Sequence, residues 1–492
     1  MAKKLLIVHG YSDGSTSFTA LGNFLVAQGL YELDDVYYLD YSSMDDEATF
    51  EDFADKLDAD HRTRLGGERV DVACHSTGSL VVRSWLALHA VRAALRGQER
   101  EACPVDRLLC FAPANFGSDL AKLGQSFLGK FRSTFFNSHS RGEDFLESGK
   151  AVLEGLEPAS PLQWRLSMID LHSERSYFSV KRGPDQRCYP VVLAASTGYG
   201  GVQAKLIKER EKPGTDGTVR IAGTSLNTRH CTIDFRESEA VLTWWPEVKF
   251  GEIPFAVFAG FNHGSIIDPG AAGFLDPLGP GSWAVAALKQ VKDEASYQRA
   301  AERARELTEQ NYLRMDPKDQ GRYQQFFFRV RDDVDLDVND FYVDFHVVKA
   351  DGSVHDELTL RFVEDFNANF YRHSASGAHR VMMFDCRKLG AFAEELRQAR
   401  AKLVLEITGV SHLPDVDYQV GTYDAYDPAV APTPGDPVLL CANTTTLVNV
   451  VLNRRQTDKL LQVRGARSIG SAADVARAQP APTGRAALIK TP

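Results

Sequence analysis

The sequence predicts an α/β protein: a mostly parallel sheet with helices on both faces, a helical insertion, and a C-terminal antiparallel β-sandwich-like domain. Three observations carry the prediction. Short apolar runs alternate with helix-forming runs from Leu5 to Phe111, the pattern of β-α-β units. The alternation breaks between about 115 and 185, where Phe and Leu are scattered among glycines and serines. From about 323 onward, short strand-like runs are separated by Asp, Gly, Ser and Asn turns, the spacing of a sandwich.

Each element follows from its local pattern. Leu5–Val8 reads as a buried strand, Phe18–Gln28 as a helix closed by Gly29, and Asp35–Leu39 as a second strand. Glu47–Arg64 is amphipathic, with Phe50, Phe53 and Leu57 on its apolar face. Arg69–Ala73 is a strand that runs straight into the helix-forming Ser79–Leu95, and Asp106–Phe111 is the next strand. Asp144–Leu156 and Leu162–Leu171 are helix candidates inside the insertion. The alternation resumes with the strand-like Tyr189–Ala194 and Ile253–Ala259. Ser282–Gln310, rich in Ala, Glu and Arg, reads as a long polar helical bridge. Strands are then expected at 326–330, Phe341–Val348, Glu357–Val363, Arg380–Phe384 and Lys402–Thr408. The resulting organisation is an α/β domain over 1–295 with the insertion at 115–185, a helical linker at 296–322, a β-sandwich-like domain at 323–455 and a disordered polar tail at 456–492. No internal repeat is evident.

A chain of 492 residues, 43% hydrophobic and 25% charged, has room for two or three domains and a large core. Its net charge of −10 argues against a nucleic-acid partner and against purely electrostatic adhesion to an anionic membrane. The seven cysteines are odd in number and include no Cys-x-x-Cys, which points to free thiols in a reducing compartment and to no zinc or redox site. Leu5–Val8 is too short for a leader core, and no run approaches a membrane span. The expectation is a cytoplasmic protein, or one exported without a cleavable leader.

The segment Cys74-His75-Ser76-Thr77-Gly78 lies between the third strand and the following helix, with the serine at the apex of a very tight turn. Small flanks suit such a turn, because strand and helix backbones nearly touch there. A positive φ at Cys74 would be strained, since cysteine tolerates it poorly. The pentapeptide resembles the nucleophile elbow of α/β-hydrolases, with Cys74 in the place of the first glycine, and its His75-Ser76 is typical of the lipase and esterase branch. The resemblance to lipase- and phospholipase-like serine esterases implies that His75 supports the turn and that an acid and then a histidine follow Ser76 in the chain.

The acid in best position is Asp216 in Pro213-Gly214-Thr215-Asp216-Gly217, ahead of Asp234 and Asp185; the bland alternative is an ordinary turn aspartate. The base is His263 in Phe261-Asn262-His263-Gly264, a loop just past the last sheet-like run; the bland alternative is a helix-capping loop histidine. The family's oxyanion hole implies backbone N–H donors from Thr77 and from Tyr11 of His9-Gly10-Tyr11, in a loop kept slim by Ser12 and Gly14. Phe111–Ser118 and Leu156–Leu162 also resemble lipase segments, so the matches extend over roughly residues 5 to 267.

The insertion reads as a lid whose Phe116, Leu120, Leu123, Phe127 and Phe131 would line an acyl pocket, in part if not wholly packed on the core. Each buried methylene contributes about 0.8 kcal/mol, which favours a long-chain or phospholipid ester and transient contact with a lipid surface. No cofactor is expected. The run Asp332–Asp340 resembles a calcium loop around Asp333, Asp335 and Asp337 but lacks the EF-hand glycine and glutamate. The leading expectation is a serine lipase or phospholipase. The alternatives are a short-chain carboxylesterase, a protein or lipid deacylase, and a binding protein on a hydrolase scaffold without turnover. A leaderless phospholipase with a β appendage also resembles bacterial lipase effectors, by analogy only.

Overall fold

The computed structural model describes residues 3–10, 18–40, 47–98, 101–123, 149–199, 214–237, 239–316, 320–412, 415–430 and 439–456; at 122, 123 and 367–369 it describes the backbone alone. The first half runs β1 (Leu5–Val8), α1 (Thr19–Ala27), β2 (Val36–Leu39), α2 (Phe50–Arg64), β3 (Val70–His75), α3 (Gly78–Leu95), β4 (Val105–Phe111), α4 (Lys150–Leu156), α5 (Pro161–Asp170) and β5 (Tyr189–Ala195). It continues with β6 (Thr228–Asp234), β7 (Val241–Trp244), β8 (Phe255–Phe258), α6 (Pro280–Gln290) and α7 (Glu294–Tyr312). The last part holds β9 (Tyr323–Asp332), β10 (Phe341–Lys349), α8 (Asp356–Phe366), β11 (Asn367–Arg372), β12 (His379–Asp385), α9 (Leu389–Ala399) and β13 (Ala401–Gly409). Four short strands close it: β14 (Val416–Tyr418), β15 (Gly421–Tyr426), β16 (Thr445–Leu452) and β17 (Arg454–Gln456).

The first sheet has six strands in the order β2-β1-β3-β4-β5-β8, all parallel. Its central strand β3 is buried along its whole length, because helices cover both faces. α7 is not the linker expected at 296–322. It lies along β8: Thr308 Oγ1 accepts from Val257 N at 3.1 Å, and Asn311 Oδ1 accepts from Ala259 N at 3.3 Å. The helix thereby satisfies the open edge of the sheet, while Tyr297, fully buried, donates to Pro190 O at 2.7 Å.

The second large sheet is ordered β11-β12-β9-β16-β6-β7. Its flanking pairs are antiparallel, but β16 runs parallel to both β9 and β6. The run Phe326-Phe327-Phe328 explains its place: Phe327 packs into the core of the first sheet and Phe326 and Phe328 into a second core. The second core is closed by the antiparallel sheet β10-β13-β15 and by α8 and α9. Glu357–Val363, expected as a strand, lies within helix α8, because Leu358, Phe362 and Phe366 recur every four residues and are buried together. The boundary expected at 323 is also crossed, since β6 and β7 leave the first sheet's part of the chain to join the second. The tail from 457 lies outside the described residues.

The described part of the insertion is fastened on several sides. Arg83 of α3, fully buried, forks onto Asp170 of α5 with contacts of 2.7 and 3.1 Å and donates to Asn115 O at 3.1 Å. Glu157 accepts from Ser374 N at 3.0 Å and from Ser374 Oγ at 2.5 Å. Trp164 meets Phe327 edge-on at 5.2 Å. Phe116 and Leu120 are buried in the first core, with the Phe116 ring against Phe327, so neither is an exposed wall. Phe127 and Phe131 lie outside the described residues, as does the side chain of Leu123.

Candidate active site

β3 ends at His75 and α3 begins at Gly78, leaving two residues to reverse the chain. Ser76 takes up the reversal with φ +53°, a left-handed backbone that costs of order 1–3 kcal/mol. Cys74 keeps strand geometry, so the absent glycine costs nothing there; its Sγ lies 3.5 Å from Cys110 Sγ on β4, and both thiols are free. The small residue that the turn demands is Gly78. A Cβ at Gly78 would come within 2.5 Å of His9 O and 2.8 Å of Val8 O.

The structure brings Ser76, His263 and Asp216 together. Ser76 Oγ lies 2.9 Å from His263 Nε2, and His263 Nδ1 lies 2.8 Å from Asp216 Oδ2. All three are buried, Asp216 almost completely. The acid is held by its own loop: Asp216 Oδ1 accepts from Thr218 N at 2.9 Å and Val219 N at 2.8 Å. His263 N donates to Asp216 O at 3.1 Å, and Asn262 Oδ1 accepts from Ser265 N at 2.9 Å, which sets the loop that presents the imidazole. A carboxylate on Nδ1 leaves Nε2 free to accept from the serine hydroxyl. Of the rival acids, Asp234 pairs with Arg236 at 2.5 Å, and Asp185 lies in the turn Pro184–Gln186.

His75 is also buried, and its Nε2 lies 2.9 Å from His263 O. Burial, with help from the neighbouring His263 and His9, holds its imidazole well below the usual histidine range. Thr77 opens α3, where first-turn N–H groups have no acceptor within the helix. The loop after β1 reaches Ser76 at Gly10, where a Cβ would lie 3.1 Å from Ser76 Cβ. Tyr11, Ser12 and Gly14 lie outside the described residues.

Two supports escaped sequence reasoning. Arg220 lies four residues after Asp216 and forms a buried pair with Asp119, Nε to Oδ2 at 2.8 Å, and its guanidinium also reaches Tyr371 Oη at 3.4 Å. This ties the acid's loop to the segment after β4 and to the second sheet. Arg83 ties the nucleophile helix to α5. Its one sequence signal is a cation inside the apolar run Leu80-Val81-Val82-Arg83-Ser84-Trp85. Near the Asp-rich stretch, Asp335 pairs with Arg331, and Asp337 with Arg329 at 3.2 Å. Among the described residues no group of three or more His, Cys, Asp or Glu could hold a metal ion.

No protein-family model matches the chain, and no curated protein does. Among solved structures it is similar to phospholipase PlaB from Legionella pneumophila, with 21% identity and a TM-score of 0.74 over 94% of this chain and 96% of that one. The structure of the same phospholipase in complex with thio-NAD gives 20% identity and a TM-score of 0.73 over the same shares. The parallel sheet, the serine turn at the end of β3 and a likeness that spans nearly the whole of both chains establish that this protein has the α/β-hydrolase fold with added C-terminal β layers.

Proposed function

We infer that the protein is a serine hydrolase of lipid carboxylic esters, a lipase or phospholipase. The observation that carries this reading is the hydrogen-bonded chain from Ser76 through His263 to Asp216, with the serine on a strained turn. Ser76 Oγ attacks the ester carbonyl as His263 Nε2 takes its proton, and Asp216 stabilises the imidazolium. The N–H of Thr77, at the start of α3, holds the oxyanion; one such donor is worth roughly 3–4 kcal/mol of transition-state stabilisation. The alcohol leaves with the proton from His263. Water, deprotonated by the same imidazole, then releases the acid from the acyl-enzyme.

The lipid class is supported by the full-length likeness to a phospholipase fold and by the apolar content of the insertion. No helix among the described residues is long and apolar enough to cross a membrane. The test is lipid mass spectrometry after wild type and Ser76→Ala are incubated with mixed phospholipids and triacylglycerol. Free fatty acid released by wild type and not by Ser76→Ala supports the reading; equal release by both sinks it. A series of p-nitrophenyl esters that peaked at acetate would move the assignment to a short-chain carboxylesterase.

A further inference from the structure

His75 is a buried imidazole beside Ser76 that the mechanism above does not use. Its geometry is specific. A carbonyl oxygen can only accept, so the 2.9 Å contact with His263 O requires the proton on His75 Nε2. Nδ1 is then a bare acceptor, buried and without a hydrogen-bond partner among the described residues. That atom faces the loop after β1: a Cβ at Gly10 would lie 3.3 Å from it. The ring is 4.6 Å from the His263 ring and 5.7 Å from Phe18, which closes its outer side. One side chain therefore touches the base's backbone, the glycine of the second oxyanion loop and, through the chain, the nucleophile.

We propose that His75 is a positioning residue for the Ser76 hydrolase reaction: its Nε2–H holds the backbone of His263 so that the base meets the serine hydroxyl. The proposal rests on the reading of Ser76, His263 and Asp216 given above. An imidazole suits the task for two reasons. It is rigid and fills the space between two loops, and in its neutral form it places no charge beside the imidazolium that His263 becomes. Any other donor of the same reach should serve in part, whereas an apolar side chain of the same length should not.

The experiment compares His75→Gln, which keeps a terminal N–H donor, with His75→Met, which has similar length and no donor. Both are assayed on p-nitrophenyl butyrate for kcat and KM separately, and for the rate at which a fluorophosphonate probe labels Ser76. His75→Met is expected to lose on the order of 10²-fold in kcat, the scale of an ångström-level misplacement, with KM within about twofold. Labelling should slow in parallel, and His75→Gln should recover most of both. Should His75→Met not fold, His75→Asn replaces it, since its shorter amide does not reach His263 O. Wild-type kcat without the donor, or equal losses with and without it, would overturn the proposal. Ser76→Ala, run alongside, separates the two failures. Full turnover by Ser76→Ala refutes the serine reading itself, whereas loss in Ser76→Ala with full activity in His75→Met refutes only the positioning role.

Discussion

The acid in this site is held by two sets of bonds that one substitution can separate. Asp216 Oδ1 serves its own loop, and Oδ2 serves His263. Asp216→Asn retains a carbonyl oxygen for Thr218 and Val219 but turns an NH₂ donor toward Nδ1. That favours the tautomer in which Nε2 carries the proton and cannot accept one from Ser76. The expected outcome is a loss of kcat on the order of 10⁴-fold with little change in melting temperature, read on a chromogenic ester and by thermal denaturation. Such residues were legible because a serine at a strand–helix junction, an Asp-Gly turn and a histidine between small residues are local patterns in a required order. The contacts of His75 with His263 O and Gly10 were not, because they join segments about 190 and 65 residues away. Nor did the pattern around Cys74 show that the left-handed backbone falls on Ser76 instead.

At the scale of elements, α5 of the insertion is joined to α3 by the buried ion pair of Asp170 and Arg83. Burial raises the carboxyl of Asp170 and the Arg83 guanidinium opposes that rise, so the pair is balanced only while both members remain. Arg83→Met would strand Asp170 without its partner, and a loss of about 3–5 kcal/mol in urea unfolding is expected. Removing both charges with Arg83→Met and Asp170→Leu should restore much of it; a double variant no better than the single would contradict this account. Sequence periodicity identified α1 to α5 and the parallel strands, whose burial is set by near neighbours. It failed at α8, where alternating Leu358, Leu360 and Phe362 imitate a strand while the burial of Leu358, Phe362 and Phe366 obeys a four-residue spacing. It missed β16, whose partners β9 and β6 are remote in sequence, and with it the β6–β7 hairpin that β16 joins to the sheet.

Over the whole molecule, several histidines are enclosed in their neutral form. Burial pushes His230 and His379 down to about 4 and His75 and His172 well below the usual range, against an ordinary value near 6.5. The unfolded chain binds these protons first, so their contribution is complete above about pH 6.5 and is lost as pH falls toward 4, at about 1.4 kcal/mol per pH unit for each group. The urea midpoint should therefore drop steeply across that window. His230, stacked on Trp245 and without a partner on either nitrogen among the described residues, can become phenylalanine with no described hydrogen bond lost. His230→Phe should flatten the slope, and an unchanged slope would refute its share. The two large sheets also depend on each other. A chain cut after residue 322 would lose β9 and β16, leaving β6 with only β7 and uncovering Phe116 and Trp164; it should aggregate on gel filtration. β16 enters the middle of its sheet, between β9 and β6, yet it is made after both of them. Thr445 at its start bonds Ala222 O, near the turn that carries Asp216, and β11, at the edge of the same sheet, supplies Tyr371 to Arg220. A ribosome must therefore deliver β6, β9 and every element between them and Thr445 before that central slot is filled. Until then the loop of Asp216 lacks the support that Thr445 gives through Ala222, so the site is completed only after β16 has been made.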